Sequence, residues 1–287
     1  MTIRDTALAA ARAAGAIQKR LWGTLLAVDQ ATRNDVKLEA DRLCEEAIVT
    51  AIRRDWPDHA ILSEEAGALG GEGDCWWIID PLDGTVSFFY GMPYFCTSVA
   101  CYRRPAPPAP PEGSNTFGRV TITLPNVRKR SGGSGLESLG EPLVGVVYAP
   151  PTDELFVAET GKGATLNGKP IRPSTVTKLE ESMIGTGFGA RPGAVAHFVE
   201  QVGRLAPRVR KVRAMGSAAY DLCNVACGRF TGFYEQRLRS WDIAAAAVIL
   251  REAGAVFDAI ETSEAEWNTL AAAPGIYEEL RDLVRGR

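Results

Sequence analysis

The most informative segment of the chain spans residues 76–85 and reads Trp76-Trp77-Ile78-Ile79-Asp80-Pro81-Leu82-Asp83-Gly84-Thr85. Its first four residues are apolar and predict a buried strand. Asp80 and Asp83 follow it, with Pro81 stiffening the turn between them. A helix that starts after Gly84 would present the N–H groups of Gly84 and Thr85 to a phosphate. Because carboxylates and a phosphate repel each other, the segment predicts cations between them.

Acidic residues also mark three other predicted elements. Glu64 and Glu65 follow a short strand, and Asp242 lies in the first turn of a helix. Asp41 lies within an amphipathic helix. Each has an ordinary explanation when taken alone: a solvated pair, a helix N-cap and a surface acid, respectively. The 287 residues include only two histidines, and the six cysteines are scattered, so nitrogen and sulfur ligands are scarce. Oxygen ligands and hence Mg²⁺ are therefore favoured, with Mn²⁺ or Ca²⁺ as alternatives.

Together these motifs resemble the inositol monophosphatase family of Mg²⁺-dependent, lithium-sensitive phosphatases. The segments that carry the resemblance are residues 80–85, Trp241-Asp242-Ile243-Ala244-Ala245 with Glu252-Ala253-Gly254, Glu64-Glu65, and the helix region with Met215-Gly216-Ser217-Ala218-Ala219, Asp221-Leu222-Cys223 and Ala226-Cys227-Gly228. The resemblance covers most of the chain outside residues 103–142. It implies a five-layer αβαβα sugar-phosphatase fold of mixed α+β and α/β character, shared with fructose-1,6-bisphosphatases, and a homodimer.

The resemblance further implies which residues bind two or three Mg²⁺ ions, with Mn²⁺ possible in their place. One ion would be held by Glu64, Asp80 and the Leu82 carbonyl, and a second by Asp80, Asp83 and Asp242. A third, more weakly bound ion would be coordinated by Glu64. The four acidic side chains carry one negative charge each, −4 in total, which two divalent cations balance.

The implied reaction is phosphomonoester hydrolysis by a metal-activated water. Thr85 would orient or deprotonate that water together with Glu64, and Asp41 would support the Thr85 hydroxyl from behind. The implied substrate contacts are Asp83, Gly84, Thr85, Ser217, Ala218 and Glu235. The expected substrate is a small polyol or sugar phosphate, with inositol monophosphate first.

Other substrates stay open: histidinol phosphate, fructose 1,6-bisphosphate and 3′-phosphoadenosine 5′-phosphate. Val86-Ser87-Phe88 is partly similar to histidinol-phosphate phosphatases, and Ser87 stands where inositol phosphatases usually have Asn. Gln30 stands about where many members have Lys. The alternative outside the enzyme class is a non-catalytic module that metal ions stabilise.

Charge and hydropathy limit the partners that we expect. A net charge of −3 offers no basic surface for nucleic acid or for anionic membranes. Residues 84–102 contain no charged residue, but the turn formers at 90–93 predict a short helix, a turn and a buried strand rather than a membrane span. The N-terminus has an amphipathic pattern rather than that of a signal peptide. We therefore expect a cytoplasmic protein whose partner is a small phosphorylated substrate.

We expect one unit with an N-terminal α+β lobe over about residues 1–175 and a C-terminal α/β lobe over about residues 176–287. The Pro- and Gly-rich segment 103–142 is predicted to be an extended surface insertion, with a possible strand at 119–124. A lid or partner-binding arm that carries Arg128, Lys129 and Arg130 is the alternative. Helices are predicted at 4–22, 38–54, 217–227, 241–252 and from 277, and strands at 60–62, 76–79, 96–102, 143–148, 155–158, 232–234, 255–257 and 270–273.

Overall fold

A computed structural model describes residues 1–24, 28–31, 36–104, 139–189, 193–263 and 266–287. The helices are α1 (Ile3–Leu21), α2 (Glu39–Asp55), α3 (Thr85–Phe89), α4 (Ala194–Leu205), α5 (Ala218–Ala226), α6 (Ser240–Ala253) and α7 (Tyr277–Val284). The strands are β1 (Val28–Ala31), β2 (Val36–Leu38), β3 (Ala60–Ser63), β4 (Gly67–Leu69), β5 (Cys75–Asp83), β6 (Cys96–Arg103), β7 (Glu141–Ala149), β8 (Glu154–Glu159), β9 (Ala164–Leu166), β10 (Lys169–Pro170), β11 (Met183–Thr186), β12 (Lys211–Ala214), β13 (Gly232–Arg239), β14 (Val256–Ser263) and β15 (Glu266–Ala272).

Two large sheets and three helical layers build the described part of the molecule, and β1 and β2 pair in a separate two-stranded sheet. The larger sheet has the order β10-β9-β8-β7-β6-β5-β3-β4, and the smaller one β12-β11-β13-β15-β14. Helices α1 and α2 cover the outer face of the larger sheet, while α5 and α6 lie between the sheets. Helices α4 and α7 cover the outer face of the smaller sheet. This is the layered αβαβα fold that the motifs predict.

Helix α6 is apolar on all sides because it is enclosed by both sheets. Its residues 243–250 are all buried, which is typical of a helix in the middle of a protein rather than on its surface. Gly145 in β7 lets the helix come close: a Cβ there would overlap the Ala245 carbonyl oxygen. The tight contact fixes α6, and with it Asp242, relative to the larger sheet.

The buried face of α2 differs from the expected one. The helical spacing of Leu43, Ala47, Ile48 and Ile52 predicts an apolar stripe, but Leu43 and Ala47 are only half-buried. Asp41, Cys44 and Glu45 are buried instead, beside the expected Ile48 and Ile52. Thus two carboxylates lie on the side of α2 that faces the end of β3 and β5, where hydrogen bonds satisfy them.

Several elements differ from the predictions in extent. Strands β11 and β12 of the smaller sheet, and helix α4 that packs on it, were not predicted. Strands β14 and β15 form one long antiparallel hairpin in place of two short strands. The helix, turn and strand over residues 84–102 are confirmed by α3 and β6. None of the helices in the described ranges is long and apolar enough to cross a membrane.

Some predictions fall outside the described residues. They include the strand at 119–124, the basic cluster Arg128, Lys129 and Arg130, and the side chain of Gln30. The boundary of the two lobes near residue 175 stays a prediction, although the strands of the larger sheet end at Pro170 and those of the smaller begin at Met183.

Candidate active site

The parallel pairing of β3 and β5 brings two of the predicted acids to one sheet edge. Ser63 pairs with Ile79, so the next residues along the two strands are Glu64 and Asp80. The carboxyl ends of parallel strands meet at the same edge, and side chains placed there share a cleft. Asp80 is 1% exposed, and Glu64 is half-buried in the turn that follows β3.

A bulge in β5 accounts for the orientation of the second acid. Asp80 pairs with Ser98 and Asp83 with Cys96, so three steps along β5 correspond to two along β6. In a regular strand, residues three apart point to opposite faces. The extra residue of the bulge cancels that alternation, and both aspartates can point towards the same cleft.

Pro81 lies inside the bulge, where its missing N–H costs the sheet little. Its carbonyl accepts hydrogen bonds from Gln18 Nε2 at 2.8 Å and from Thr97 Oγ1 at 3.1 Å. Gln18, a buried residue of α1, also donates to Thr97 Oγ1 at 2.8 Å. These contacts hold the bulge in place from the helical layer behind it.

Helix N-termini hold two of the predicted metal ligands. Asp83 Oδ2 accepts hydrogen bonds from Ser217 Oγ at 2.8 Å and from the Ala219 N–H at 2.7 Å, at the start of α5. Asp242 Oδ2 accepts from the Arg239 N–H at 2.7 Å, at the start of α6. Because negative charge is favoured at a helix N-terminus, both carboxylates are fixed before any cation binds.

Asp41 is held in the same way and reaches Thr85. Its Oδ2 accepts from the Leu38 N–H at 2.7 Å, at the start of α2. Its Oδ1 lies 3.2 Å from Thr85 Oγ1, which is also 2.9 Å from the Leu82 carbonyl oxygen. The Thr85 hydroxyl has one hydrogen and can donate it to only one of these two acceptors at a time.

Burial raises the pKa values of the three aspartates, and neighbouring acids add to the effect at two of them. Burial, followed by the charges of Glu64, Asp83 and Asp242, raises the pKa of Asp80 well above its usual range. Burial raises the pKa of Asp83 to about 6, although hydrogen bonds from the start of α5 act in the opposite direction. Burial and the charge of Asp83 raise the pKa of Asp242. This cluster needs protons or cations to compensate it, and its oxygen donors fit a hard divalent ion.

The predicted substrate contacts surround this cluster. Glu235 on β13 is buried, and its pKa is raised by burial and then by Asp242, Asp221 and Asp83. Gly187 makes room for it, because a Cβ there would lie 2.5 Å from Glu235 Oε2. Ser217 and Ala218 lie at the start of α5, where the Ser217 hydroxyl donates to Asp83 rather than pointing at an open site.

Gly84 has a backbone conformation that other residues adopt at a cost. Its φ is +95°, and a Cβ would lie 2.8 Å from the Tyr94 carbonyl oxygen. Glycine is therefore required between Asp83 and Thr85 by both torsion and space.

A separate group of potential ligands lies away from the acids. Within the described ranges, the trio of His, Cys and acidic ligand atoms that come within 4.8 Å of one another is His59, Asp74 and Cys75. Trp77 Nε1 donates to His59 Nδ1 at 3.2 Å, which places the proton of a neutral imidazole on Nε2. That tautomer opposes metal binding through Nε2. The six cysteines are all free thiols.

The sequence interpretation missed Glu45, which holds the turn that carries Glu64. Its Oε2 accepts from the Ser63 hydroxyl and from the Ala66 N–H, the latter at 2.9 Å. A usable signal was present in the sequence: Asp41 and Glu45 are four residues apart and so lie on one face of α2.

A second missed group lies behind Asp83. Asp221 in α5 is 1% exposed and accepts a hydrogen bond from the Tyr94 hydroxyl, to which Asn224 Nδ2 donates at 3.0 Å. Burial raises the pKa of Asp221 to about 8, and the charge of Asp83 adds to this. An acid within an otherwise apolar predicted helix was the signal for it.

The sequence and the fold have known relatives. A sequence model of the inositol monophosphatase family matches residues 1–109 and 135–284. The chain is 37% identical over 282 residues to an inositol-1-monophosphatase of Synechocystis sp., covering 96% of this chain and 86% of that protein. It is 36% identical over 256 residues to the Nus factor SuhB of Escherichia coli K12, covering 88% and 83%. The solved inositol monophosphatase of Anabaena superposes with a TM-score of 0.75 at 31% identity, covering 99% of this chain and 95% of that one.

Proposed function

The chain belongs to the inositol monophosphatase family, and from this membership we propose that it is a Mg²⁺-dependent phosphatase of small polyol or sugar phosphates. Inositol monophosphate is the first candidate substrate. The observation that supports the proposal is the grouping of Glu64, Asp80, Asp83 and Asp242: burial raises the pKa of the three aspartates, and the charges of neighbouring acids of this group add to the effect at Asp80 and Asp242.

The proposed metal site uses these acids. Glu64, Asp80 and the Leu82 carbonyl would hold one Mg²⁺, and Asp83 and Asp242 would join Asp80 around a second. A third ion, or Mn²⁺ in place of Mg²⁺, fits the same donors. When bound, the ions supply positive charge to the phosphoryl oxygens and lower the pKa of a reacting water.

Thr85 and Asp41 are proposed to position the attacking water. When the Thr85 hydroxyl donates to Asp41 Oδ1, its oxygen lone pairs are available to accept a hydrogen from the water. Asp41 stays in place because the Leu38 N–H holds its other oxygen. Glu64 would share the role of base, and its turn is fixed by Glu45.

Substrate binding is assigned to the residues around the acids. The N–H groups of Gly84 and Thr85 would contact the phosphate, and Ser217 and Ala218 would lie beside the ring of a polyol or sugar substrate. Asp83 would lie between the phosphate and the ring. Glu235 would accept a hydrogen bond from a substrate hydroxyl. Histidinol phosphate, fructose 1,6-bisphosphate and 3′-phosphoadenosine 5′-phosphate remain the alternative substrates.

The test is phosphate release from this panel of substrates with Mg²⁺ and with EDTA. We expect Mg²⁺-dependent turnover that Asp80→Asn lowers by several orders of magnitude, since the change removes one charge from both proposed metal positions. Asp153→Asn is the matched control, because Asp153 is 75% exposed and far along the chain from the acids. Near-native Mg²⁺-dependent turnover in Asp80→Asn would contradict the metal assignment. Metal-dependent stabilisation without turnover of any substrate would support the non-catalytic module instead.

Two proposals concern assembly. A homodimer is expected from the family. Light scattering of the purified chain tests this by measuring the mass of the particle in solution. Relatives at 36% identity carry the name Nus factor, so the expected lack of nucleic-acid binding stays a prediction.

A further inference from the structure

The segment between α3 and β6 lies against the turn from Asp83 to Thr85. A Cβ at Gly84 would lie 2.8 Å from the Tyr94 carbonyl oxygen, so the main chain of Tyr94 passes close to Gly84. Two residues further on, Cys96 pairs with Asp83 in the sheet. The position of Tyr94 therefore limits where the residues of this turn can lie.

The side chain of Tyr94 is anchored on α5. Its hydroxyl donates a hydrogen bond to Asp221 and accepts one from Asn224 Nδ2 at 3.0 Å. Its ring lies against that of Tyr220, with centroids 4.7 Å apart. All three partners belong to α5. Because a hydroxyl has a single hydrogen, the bond accepted from Asn224 leaves that hydrogen for Asp221.

Arg229 sets the direction of these hydrogen bonds. Its Nη1 donates to Asn224 Oδ1 at 3.1 Å, and a guanidinium group can only donate. The Asn224 amide is thereby oriented with its oxygen towards Arg229 and its nitrogen towards Tyr94. The Tyr220 carbonyl oxygen accepts a second bond from the same nitrogen at 3.1 Å, in agreement with this orientation. The donors therefore all point in one direction, and the chain of hydrogen bonds ends at Asp221.

Helix α5 thus holds the turn at two places. At its start, the Ser217 hydroxyl and the Ala219 N–H donate to Asp83 Oδ2. Further along, the helix holds Tyr94, whose main chain lies against Gly84. Two contacts fix the orientation of a short segment as well as its position, whereas one contact leaves it free to pivot. Small displacements matter in such a place, because a misplacement of about 1 Å can cost roughly a hundred-fold in rate.

We propose that Tyr94 is a positioning residue of the proposed phosphatase: through its hydroxyl, α5 fixes the Gly84 and Thr85 N–H groups that receive the phosphate. The inference rests on the proposed function and adds a residue to its site. Tyr94 does not touch the substrate; it acts through the main chain that lies against Gly84. The neighbouring Tyr220 has no such role, because its hydroxyl donates to Glu154 at 2.5 Å rather than to this chain of hydrogen bonds.

The experiment compares Tyr94→Phe with Tyr220→Phe, two changes that each remove one hydroxyl from the same pair of packed rings. With Mg²⁺ and the best substrate of the panel, we expect Tyr94→Phe to lower kcat about ten-fold, as for a displacement well below 1 Å, and Tyr220→Phe to leave it within about two-fold. Asn224→Asp should resemble Tyr94→Phe, because it replaces the donor to the Tyr94 hydroxyl by a second acceptor. Thermal melting sets a temperature at which every variant is folded.

Binding is measured separately, by calorimetry with inorganic phosphate at saturating Mg²⁺. We expect phosphate to bind Tyr94→Phe about ten-fold more weakly than the parent, and Tyr220→Phe with unchanged affinity. A role in folding alone predicts a lower melting temperature for Tyr94→Phe, with kcat and phosphate affinity unchanged, and that result would overturn the proposal. Equal losses in Tyr94→Phe and Tyr220→Phe, or parental kcat in Asn224→Asp, would also overturn it.

Failure of the proposed function has a different outcome. If the parent chain hydrolyses no ester but binds phosphate with Mg²⁺, the phosphatase assignment fails, and the affinities of the two variants still test the role of Tyr94. Weaker binding in Tyr94→Phe alone would support that role, and equal binding would refute it. If the parent chain binds no phosphate, both proposals fail.

Discussion

Replacing Asp221 by asparagine should make the protein less sensitive to alkaline pH. Asp221 is buried behind Asp83, and the Tyr94 hydroxyl donates to it. Asparagine has nearly the same shape and can still accept that hydrogen bond through its carbonyl oxygen. It has no proton to lose, so the variant isolates the energetic effect of ionising Asp221.

The sign follows from the two pKa values. Asp221 titrates near 3.8 in an unfolded chain, whereas burial raises its pKa to about 8 in the folded protein. Between these values the folded state binds the proton more tightly, so stability is greatest at low pH and falls as pH rises towards 8. At about 1.4 kcal/mol per pKa unit, the full loss is about 6 kcal/mol. About 4 kcal/mol of it falls between roughly pH 5 and pH 9.

The measurement is urea unfolding of both proteins in EDTA at about pH 5, 7 and 9. The other acids titrate in both proteins, so most of their effect cancels in the difference; the exceptions are Asp83 and Glu235, which interact electrostatically with Asp221. We expect the stability of Asp221→Asn relative to the parent to grow by about 4 kcal/mol over this range, or a melting-temperature difference that grows by roughly 8–16 °C. Asp153→Asn is the control: hydrogen bonds from Tyr148 and Lys19 lower the pKa of Asp153 below its usual 3.8, so this side chain is ionised in both the folded and the unfolded state over the whole range and its stability difference should stay flat.

A stability difference that stays flat within about 1 kcal/mol across the range would refute the reasoning. It would mean that Asp221 is ionised in the folded state already at about pH 5. The burial and the hydrogen bond from Tyr94 would then hold a carboxylate rather than a carboxylic acid.

Three further outcomes follow from the site. In calorimetric melts, Mg²⁺ should stabilise the protein more at about pH 8 than at about pH 5, because the pKa of Asp83 in the folded protein is about 6 and protons compensate the acids below that pH. An equal increase in stability on adding Mg²⁺ at the two pH values would contradict this. Gly187→Ala should lower kcat/KM about ten-fold by displacing Glu235. Gly189→Ala is the control and should leave kcat/KM unchanged, because a Cβ there has no atom within 4 Å; equal effects of the two changes would argue against the contact between residue 187 and Glu235. Thr85→Ser should retain most activity, while Thr85→Val should lose roughly 10²–10⁴-fold in kcat; a valine variant as active as the serine variant would exclude the hydroxyl from the reaction.

The parts of the fold that could be predicted are those determined by local sequence. The strand before Asp80, the turn formers at 90–93 and the apolar helix after Trp241 each carry a pattern within a dozen residues. The clustering of the acids could be predicted only through the resemblance, because it depends on the parallel pairing of β3 with β5, which no local pattern specifies.

The outer layer of the smaller sheet was missed for a physical reason. Helix α4 exposes Val195 and Val199, at 46% and 62%, and buries Gln201, so its apolar residues do not mark the face that packs on the sheet. Strand β12 is a short edge strand with two basic residues, Lys211 and Arg213, so it lacks an apolar run. Glu45 was missed because a buried acid is satisfied by partners that are distant in the chain.

The anchoring of Asp41, Asp83 and Asp242 at the starts of three helices has a consequence for how such a protein can change over evolutionary time. A descendant that abandoned hydrolysis for another task would still gain from the hydrogen bonds that these aspartates accept at the helix starts, so selection for a well-folded chain would favour keeping them. Their presence in a sequence therefore says less about turnover than it seems to. Glu64 lies in a turn and begins no helix, so this helix-start anchoring does not extend to it.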